Sequence, residues 1–355
     1  MQPNSNLNVT QQLNQKHWQN DLVSKPRVLS GIQPTADSFH LGNYLGALRN
    51  WVSMQAEFDC YYMIADMHAL TVSPDPKDLE HRTLVSFAQL VALGIDPADS
   101  TIFVQSQVSE HAELMWVLSC LTGFGEANRM TQFKDKSAKQ GNDSTNVGLF
   151  TYPILQASDI LLYQPKAVPV GEDQRQHLEL TRDLALRFNS RYKEVFTVPE
   201  AHIVKATAKI TDLQEPTAKM SKSSPTGCLM LLDPLKTIEK KIKSAVTDSE
   251  TVIAFDLENK PGVSNLLSIL SVLSGKSVPA LVGEFDGQMY GALKTQVAEV
   301  VVAFAEVFQN KVNALLSDKA ELSRLMTEGS ERAAKVAGDT VSKVYNAVGF
   351  VSRGK

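Results

Sequence analysis

Two hydrophobic periods alternate along the first third of the chain. Short, mostly apolar runs at Arg27 to Ile32, Cys60 to Ala65 and Thr101 to Gln105 predict buried strands. Between them, Leu41, Leu45, Leu48 and Val52 recur at helical spacing and predict a helix from about Leu41 with one apolar face. Further helices are predicted over Leu79 to Leu93 and Glu110 to Leu121. Strands and helices in alternation predict an α/β fold with a parallel sheet covered on both faces. Ligands of such sheets sit beyond the carboxyl ends of the strands, which makes Gln33, Asp66, His68 and Gln105 candidates.

The pattern then changes twice. Phe124 to Gly148 is polar, carries Lys134, Lys136 and Lys139, and ends in a Gly/Asn/Ser stretch expected to be a mobile loop. Tyr152 to Tyr163 predicts a helix with Pro153 in its first turn, where proline is tolerated. Ala167 to Val170 predicts a strand and Asp173 to Phe188 a helix, and a loop runs from Ile210 to Gly227. From Pro234 the pattern is all-helical, with Leu293, Val297, Val300, Phe304, Phe308, Val312 and Leu315 tracing one long face. Three segments are therefore expected: a disordered polar extension over 1–26, an α/β domain over 27–224 and a helical domain over 225–355.

Composition narrows the partners. At 43% hydrophobic and 21% charged the chain is an ordinary globular protein, but its net charge of −4 argues against wrapping nucleic acid non-specifically. Any RNA has to be met by local basic patches. The run Lys236, Lys240, Lys241, Lys243 is one such patch or, equally, a solvated helix face. Cys60, Cys120 and Cys228 are too few and too far apart for a disulfide framework or a metal site, and each is expected to be buried in a reduced, cytoplasmic protein. No apolar run approaches the ~20 residues of a membrane span, so no membrane is expected. The Gln- and Asn-rich leader lacks the features of a signal or transit peptide.

Familiar nucleotide motifs are missing. Gly275-Lys276-Ser277 lacks the upstream glycine of a phosphate loop, and Gly123-Phe124-Gly125 does not follow a strand. Two other segments offer phosphate chemistry. His40-Leu41-Gly42-Asn43 stands at a predicted helix start, where free N–H groups and the helix dipole favour an anion and Gly42 admits close approach. His and Asn are also ordinary helix-start residues. Lys219-Met220-Ser221-Lys222-Ser223 is a cationic loop suited to gripping a triphosphate, and on its chemistry alone a solvated loop fits as well. On the helix over Tyr152 to Tyr163, Tyr152, Gln156 and Asp159 fall on one face. Asp159 is either a carboxylate facing solvent or a lysine, or an acceptor for a donor-only group such as an indole N–H.

Together the two phosphate segments resemble the two signature sequences of class I aminoacyl-tRNA synthetases. Ser30-Gly31-Ile32-Gln33-Pro34, Met130 to Lys134, Tyr152 to Tyr163 and Gly171-Glu172-Asp173-Gln174 look like the bacterial tryptophanyl-tRNA synthetase family. The resemblance extends through His177 to Asn189, Lys240 to Glu250 and Pro261 to Leu267, and runs from about Arg27 to the C-terminus. It implies a Rossmann-like catalytic domain with a helical insertion and dimer region, followed by a helical domain that reads the tRNA anticodon. The implied reaction joins L-tryptophan to ATP as tryptophanyl-adenylate, releases pyrophosphate, and transfers the amino acid to tRNA(Trp) in a homodimer.

The same resemblance implies roles residue by residue. Lys134, Lys219 and Lys222 would meet the triphosphate, with Mg2+ assisting. Gln33, Pro34, Thr35, His40, Gly42, Asn43, Gly171, Glu172, Asp173, Ile210, Met220, Ser221 and Ser223 would complete the ATP site. Asp159, Tyr152, Gln156, Gln174 and His68 would form the tryptophan site. Gln156 stands where the family usually has Met, Met67 where it commonly has Gln, and the turn before His40 is one residue longer. The rivals are the sister tyrosyl-tRNA synthetases, an RNA-binding or regulatory paralogue that does not aminoacylate, and a small-molecule nucleotidyltransferase.

Overall fold

The computed structural model describes residues 25–130, 146–170, 174–203 and 210–351. Strands β1 (Arg27–Ile32), β2 (Asp59–Ile64), β3 (Thr101–Val104), β4 (Ala167–Val170) and β5 (Glu200–Ile203) form one parallel sheet in the order β3-β2-β1-β4-β5. Four of these are the strands the pattern predicts. β5 was missed, because Glu-Ala-His-Ile holds too few apolar residues to register as a buried run. β1 and β2 align from Arg27↔Asp59 to Ile32↔Ile64, and the Arg27 Nε to Asp59 Oδ2 ion pair at 3.0 Å closes the start of that ladder.

Both faces of the sheet are buried, so the strands are apolar on alternate and intervening positions alike. Val28, Cys60, Tyr62, Ile64, Ile102 and Val104 face one core, while Leu29, Tyr61, Met63 and Phe103 face the other. Helix α1 covers the first face. It comprises Leu41–Asn43, a π turn over Tyr44–Leu48 and Arg49–Met54, and buries the predicted Leu41, Leu45 and Leu48. Helix α2 (Pro76–Ala92) lies on the same face, with Asp75 as its N-cap and Pro76 at its first position. The second face carries α3 (Glu110–Ser119), α4 (Val147–Leu162) and α5 (Arg175–Arg191).

Helix α4 corrects an expectation. It starts at Val147, capped by the Asn146 side chain, so Pro153 lies inside it rather than in its first turn. Asn146 reads locally as a loop residue, yet its side-chain oxygen accepts from Leu149 N while its amide donates to Thr71 O, so it begins the helix instead. Residues 131–145, with Lys134, Lys136 and Lys139, lie outside the described residues. Cys60 and Cys228 are buried, but Cys120 is exposed: it follows the last turn of α3, beyond the apolar face.

Beyond Pro234 the described structure is helical, with α6 (Leu235–Lys243), α7 (Pro261–Ser274), a short helix at Val278–Glu284, α8 (Tyr290–Ser317) and α9 (Lys319–Val348). In α8, Leu293, Val297, Phe308 and Val312 are buried, and Val300, Phe304 and Leu315 pack against them. The core runs on through the change of pattern near Ser224. Phe304 of α8 stacks on Tyr44 of α1 at 4.8 Å, and one apolar cluster reaches from Val28 to Met326. Helix α9 crosses to the other core through Ala333, Ala337, Val341 and Val344. It covers the open edge of β3, and a Cβ on its Gly329 would fall 1.8 Å from Ile102 O, so only glycine permits that approach. Among the described residues no single helix is long and apolar enough to cross a membrane.

Candidate active site

The strand order reverses between β1 and β4, and a crevice opens there past their carboxyl ends. It holds a cavity of about 430 Å³ between the sheet, through Gly31, Met63 and Pro169, and α4. Tyr152, Gln156 and Asp159 all line it, as their shared helix face predicts, and so do Gln33, His68 and Gln174. Their hydrogen bonds knit the wall. Tyr152 Oη lies 3.1 Å from His177 Nε2, His177 Nδ1 lies 3.1 Å from Gln174 Oε1, and Gln156 Nε2 donates to that same oxygen at 3.4 Å. Gln156 is thereby tied into the cavity wall. Burial pushes the Tyr152 phenol up to about 12, so it stays a neutral hydroxyl.

Asp159 does not face solvent, and among the described residues it meets no lysine. It is only 1% exposed, and its carboxylate is held from three directions. His68 Nε2 meets Oδ2 at 2.7 Å; Gln105 Nε2 and His111 Nδ1 meet Oδ1 at 2.7 and 2.6 Å. Burial by itself raises this carboxyl, but the His68 and His111 imidazoles and their hydrogen bonds outweigh it and hold the group down at about 2. A buried carboxylate therefore persists at the edge of a cavity whose wall mixes apolar and polar side chains. Gln105 stood out only as a residue after a strand, and His111, Tyr163 and His177 did not stand out at all. Tyr163 follows Asp159 by one helical turn, but Gln105, His111 and His177, from the end of β3, α3 and α5, come to this wall only in the fold.

The two signature segments touch. Phe39 O accepts from Leu231 N at 2.9 Å and Leu41 N donates to Leu229 O at 2.8 Å, which pins the turn before α1 to the chain just after the lysine loop. Gly42 lies against His40 and Met220; a Cβ there would sit 3.0 Å from His40 Nδ1 and 3.4 Å from Met220 Cβ. His40 and Asn43 form a capping box, in which Nδ1 accepts from Asn43 N at 3.1 Å and Asn43 Oδ1 accepts from His40 N at 3.2 Å. Burial first, then the Lys222 and Lys219 ammoniums, lower the imidazole to about 4. It is neutral near pH 7, and with Nδ1 accepting, Nε2 carries the proton.

The lysine loop is held more loosely. Met220 is buried, and its N–H donates to Ile210 O at 3.3 Å across a narrow hairpin that also pairs Thr211 with Lys219. Lys219, Ser221, Lys222 and Ser223 are exposed. Lys222 Nζ reaches Thr35 Oγ1 at 3.3 Å, and Ser221 and Ser223 hydroxyls meet at 3.0 Å. Thr35 is two residues from Gln33 on the cavity wall, a step of roughly 7 Å along the chain, so the lysine loop borders the cavity. Ile210 and Pro34 are buried beside this junction. Lys134, Gly171, Glu172 and Asp173 lie outside the described residues.

The family described as tRNA synthetases class I (W and Y) matches residues 23–306, and the chain belongs to it. More narrowly, it belongs with the tryptophan–tRNA ligases. It is 59% identical over 329 residues to tryptophan–tRNA ligase 2 of Streptomyces avermitilis, covering 92% of this chain and 98% of that one. Its fold is similar to the tryptophanyl-tRNA synthetase of Mycoplasma pneumoniae, with a TM-score of 0.81 at 37% identity, covering 92% and 99% of the two chains. It is equally similar to that of Campylobacter jejuni complexed with ADP and tryptophane, again 0.81 and 37%, covering 91% and 100%.

Proposed function

We propose that the chain activates L-tryptophan with ATP and charges tRNA(Trp), and that the cavity under α4 is the tryptophan site. One observation carries this reading: a buried, ionised Asp159 lines a cavity that also presents Tyr152, His68 and Gln156. An indole N–H is a donor without acceptor capacity, so a carboxylate is its natural partner. A phenyl ring entering instead leaves that carboxylate short of a donor, a discrimination of ~10⁴–10⁵ by analogy with sites that read a hydroxyl.

The tryptophan carboxylate is already ionised near pH 7 and needs no base. It attacks the α-phosphorus of ATP in line, pyrophosphate leaves, and tryptophanyl-adenylate remains. The chain's contribution is positioning and charge stabilisation. Neutral His40 donates from Nε2 and the start of α1 offers N–H groups to phosphate oxygens; Gly42 lets the nucleotide approach. Lys219 and Lys222, with Lys134, neutralise the triphosphate, while Pro34, Ile210 and Met220 border the nucleotide and Gly171, Glu172 and Asp173 hold its ribose. Magnesium arrives with the nucleotide as part of the substrate. The terminal adenosine hydroxyl of the tRNA then takes the tryptophanyl group.

We further assign tRNA contact to the helical part over 225–355 and a homodimer to the assembled enzyme. The basic run of α6 divides in support of this. Lys241 is committed to Asp233 Oδ2 and Cys228 O, both at 2.8 Å, and Lys243 pairs with Glu239, which leaves Lys236 and Lys240 as the RNA-facing charges. Trp116, Phe124 and Val147 are 68, 77 and 76% exposed around α3 and the start of α4, an apolar surface suited to a second subunit. Amino-acid-dependent pyrophosphate–ATP exchange tests the central reading. Tryptophan should support exchange, with tyrosine and phenylalanine at least ~10³-fold poorer. Exchange supported best by tyrosine, or by none of the three, overturns it.

A further inference from the structure

We infer that His111, backed by Tyr163 and Gln105, is a positioning residue that decides which oxygen of Asp159 faces the amino acid. It thereby sets how sharply the site separates an indole N–H from a ring without one. This rests on Asp159 being the indole acceptor.

A carboxylate has two equivalent oxygens and turns easily about its last bond, so a reader of one N–H has to be held still. Asp159 and His68 line the cavity; Gln105 and His111 stand behind them. The two rear donors both fall on Oδ1, at 2.7 and 2.6 Å, whereas among the described residues Oδ2 has the single donor His68 at 2.7 Å. The acceptor capacity of Oδ1 is filled from the rear, and Oδ2 keeps room for one more donor from the cavity.

His111 is itself fixed on every side. It is fully buried, its ring stacks on Phe103 at 5.9 Å, and its carbonyl accepts from Ser158 Oγ at 2.8 Å. Its second nitrogen, Nε2, lies 2.8 Å from Tyr163 Oη. Asp159 and Tyr163 are one turn apart on α4, so the imidazole is clamped between two side chains of the helix that forms the cavity roof. A core-filling aromatic residue would need neither hydrogen bond. Tied at both nitrogens, this imidazole determines the plane of the carboxylate.

The test compares tryptophan with its benzothiophene analogue, in which sulfur replaces the indole N–H, in amino-acid-dependent pyrophosphate exchange. The wild-type enzyme should prefer tryptophan strongly. His111→Leu should cut that preference by about 10- to 100-fold, the scale of one lost hydrogen bond to a charged group. The loss should fall on tryptophan alone, leaving kcat/KM for the analogue and KM for ATP unmoved. His111→Asn, whose amide can still donate to Oδ1, should recover most of the preference, and Tyr163→Phe should fall between. An unchanged preference in His111→Leu, or equal losses for both substrates, overturns the assignment. Should His111→Leu fail to fold, Tyr163→Phe and Gln105→Leu decide it by the same ratio. A wild type without preference refutes Asp159 as the indole acceptor; a strongly preferring wild type with unmoved variants refutes only the role of His111.

Discussion

The cavity under α4 and the lysine loop beside it hold charge in opposite ways. Asp159 is enclosed, and three side chains from three different elements fix its carboxylate at distances of 2.6 to 2.7 Å. Lys222, on the loop, has its ammonium on one threonine hydroxyl at 3.3 Å, and Lys219 is exposed. The difference suits the two substrates. An amino acid must be told from near-identical competitors, which calls for a rigid acceptor whose loss of partner is costly. A triphosphate announces itself by charge, and a loosely tethered cation can follow that charge from ground state to transition state. On the proposed function, selectivity belongs to the packed side of the site and charge neutralisation to its exposed side.

Removing the fixed charge should have the largest effect. Asp159→Ala strips the indole of its acceptor and strands three buried donors, so kcat/KM for tryptophan in exchange should fall by ~10³-fold or more while KM for ATP stays close to wild type. Asp159→Asn keeps the volume and should lose nearly as much, because an amide cannot accept from His68, Gln105 and His111 together. Near-normal tryptophan kinetics in either folded variant would break the contrast between the two sides.

The exposed charge should fail differently. Lys222→Ala should lower kcat by ~10²–10³-fold, as losing one transition-state donor does, and should leave tryptophan binding measured by calorimetry without ATP unchanged. A matching loss in tryptophan affinity would mean that the loop helps to shape the cavity, and the two sides would not be separable.

The sequence pattern exposes the two sides unequally. Tyr152, Gln156 and Asp159 could be placed on one face because helical period alone brings i, i+4 and i+7 together, and all three line the cavity. The His40 turn could be placed at a helix start for equally local reasons, and it forms a capping box there. What remained hidden is the convergence of distant elements. Gln105 and His111 reach Asp159 from the end of β3 and the first turn of α3, and no spacing encodes that meeting or the bond from His111 to Tyr163, one turn beyond Asp159. Met220 against Gly42, and Gly329 against Ile102 O, are likewise contacts between segments far apart in the chain. The pattern misplaces the start of α4 although its cap is local: Asn146 Oδ1 accepts from Leu149 N, and its amide is also held on Thr71 O from outside the helix.

Acid should separate the two sides without touching catalysis. His40 titrates at about 4 in the folded protein against an ordinary 6.5, because it is buried, stands near Lys222 and Lys219, and would lose the Asn43 N–H bond on protonating Nδ1. The unfolded chain therefore takes up a proton that the folded one refuses. The stabilisation is whole above pH 6.5 and drains away as pH falls toward 4. Asp159 shifts from an ordinary 3.8 to about 2, so its contribution is intact above pH 3.8 and is lost only as pH falls from there toward 2. Urea unfolding at pH 7.5 and pH 4.5 isolates the first window. From the His40 shift, the wild type should lose roughly 2 to 3 kcal/mol more than His40→Asn between those two values, since every other titrating group is common to both chains. Equal losses would show that His40 is accessible to protons despite its burial. The exposed side would then adjust to acid as freely as it adjusts to the nucleotide, and only the Asp159 side would carry a fixed charge.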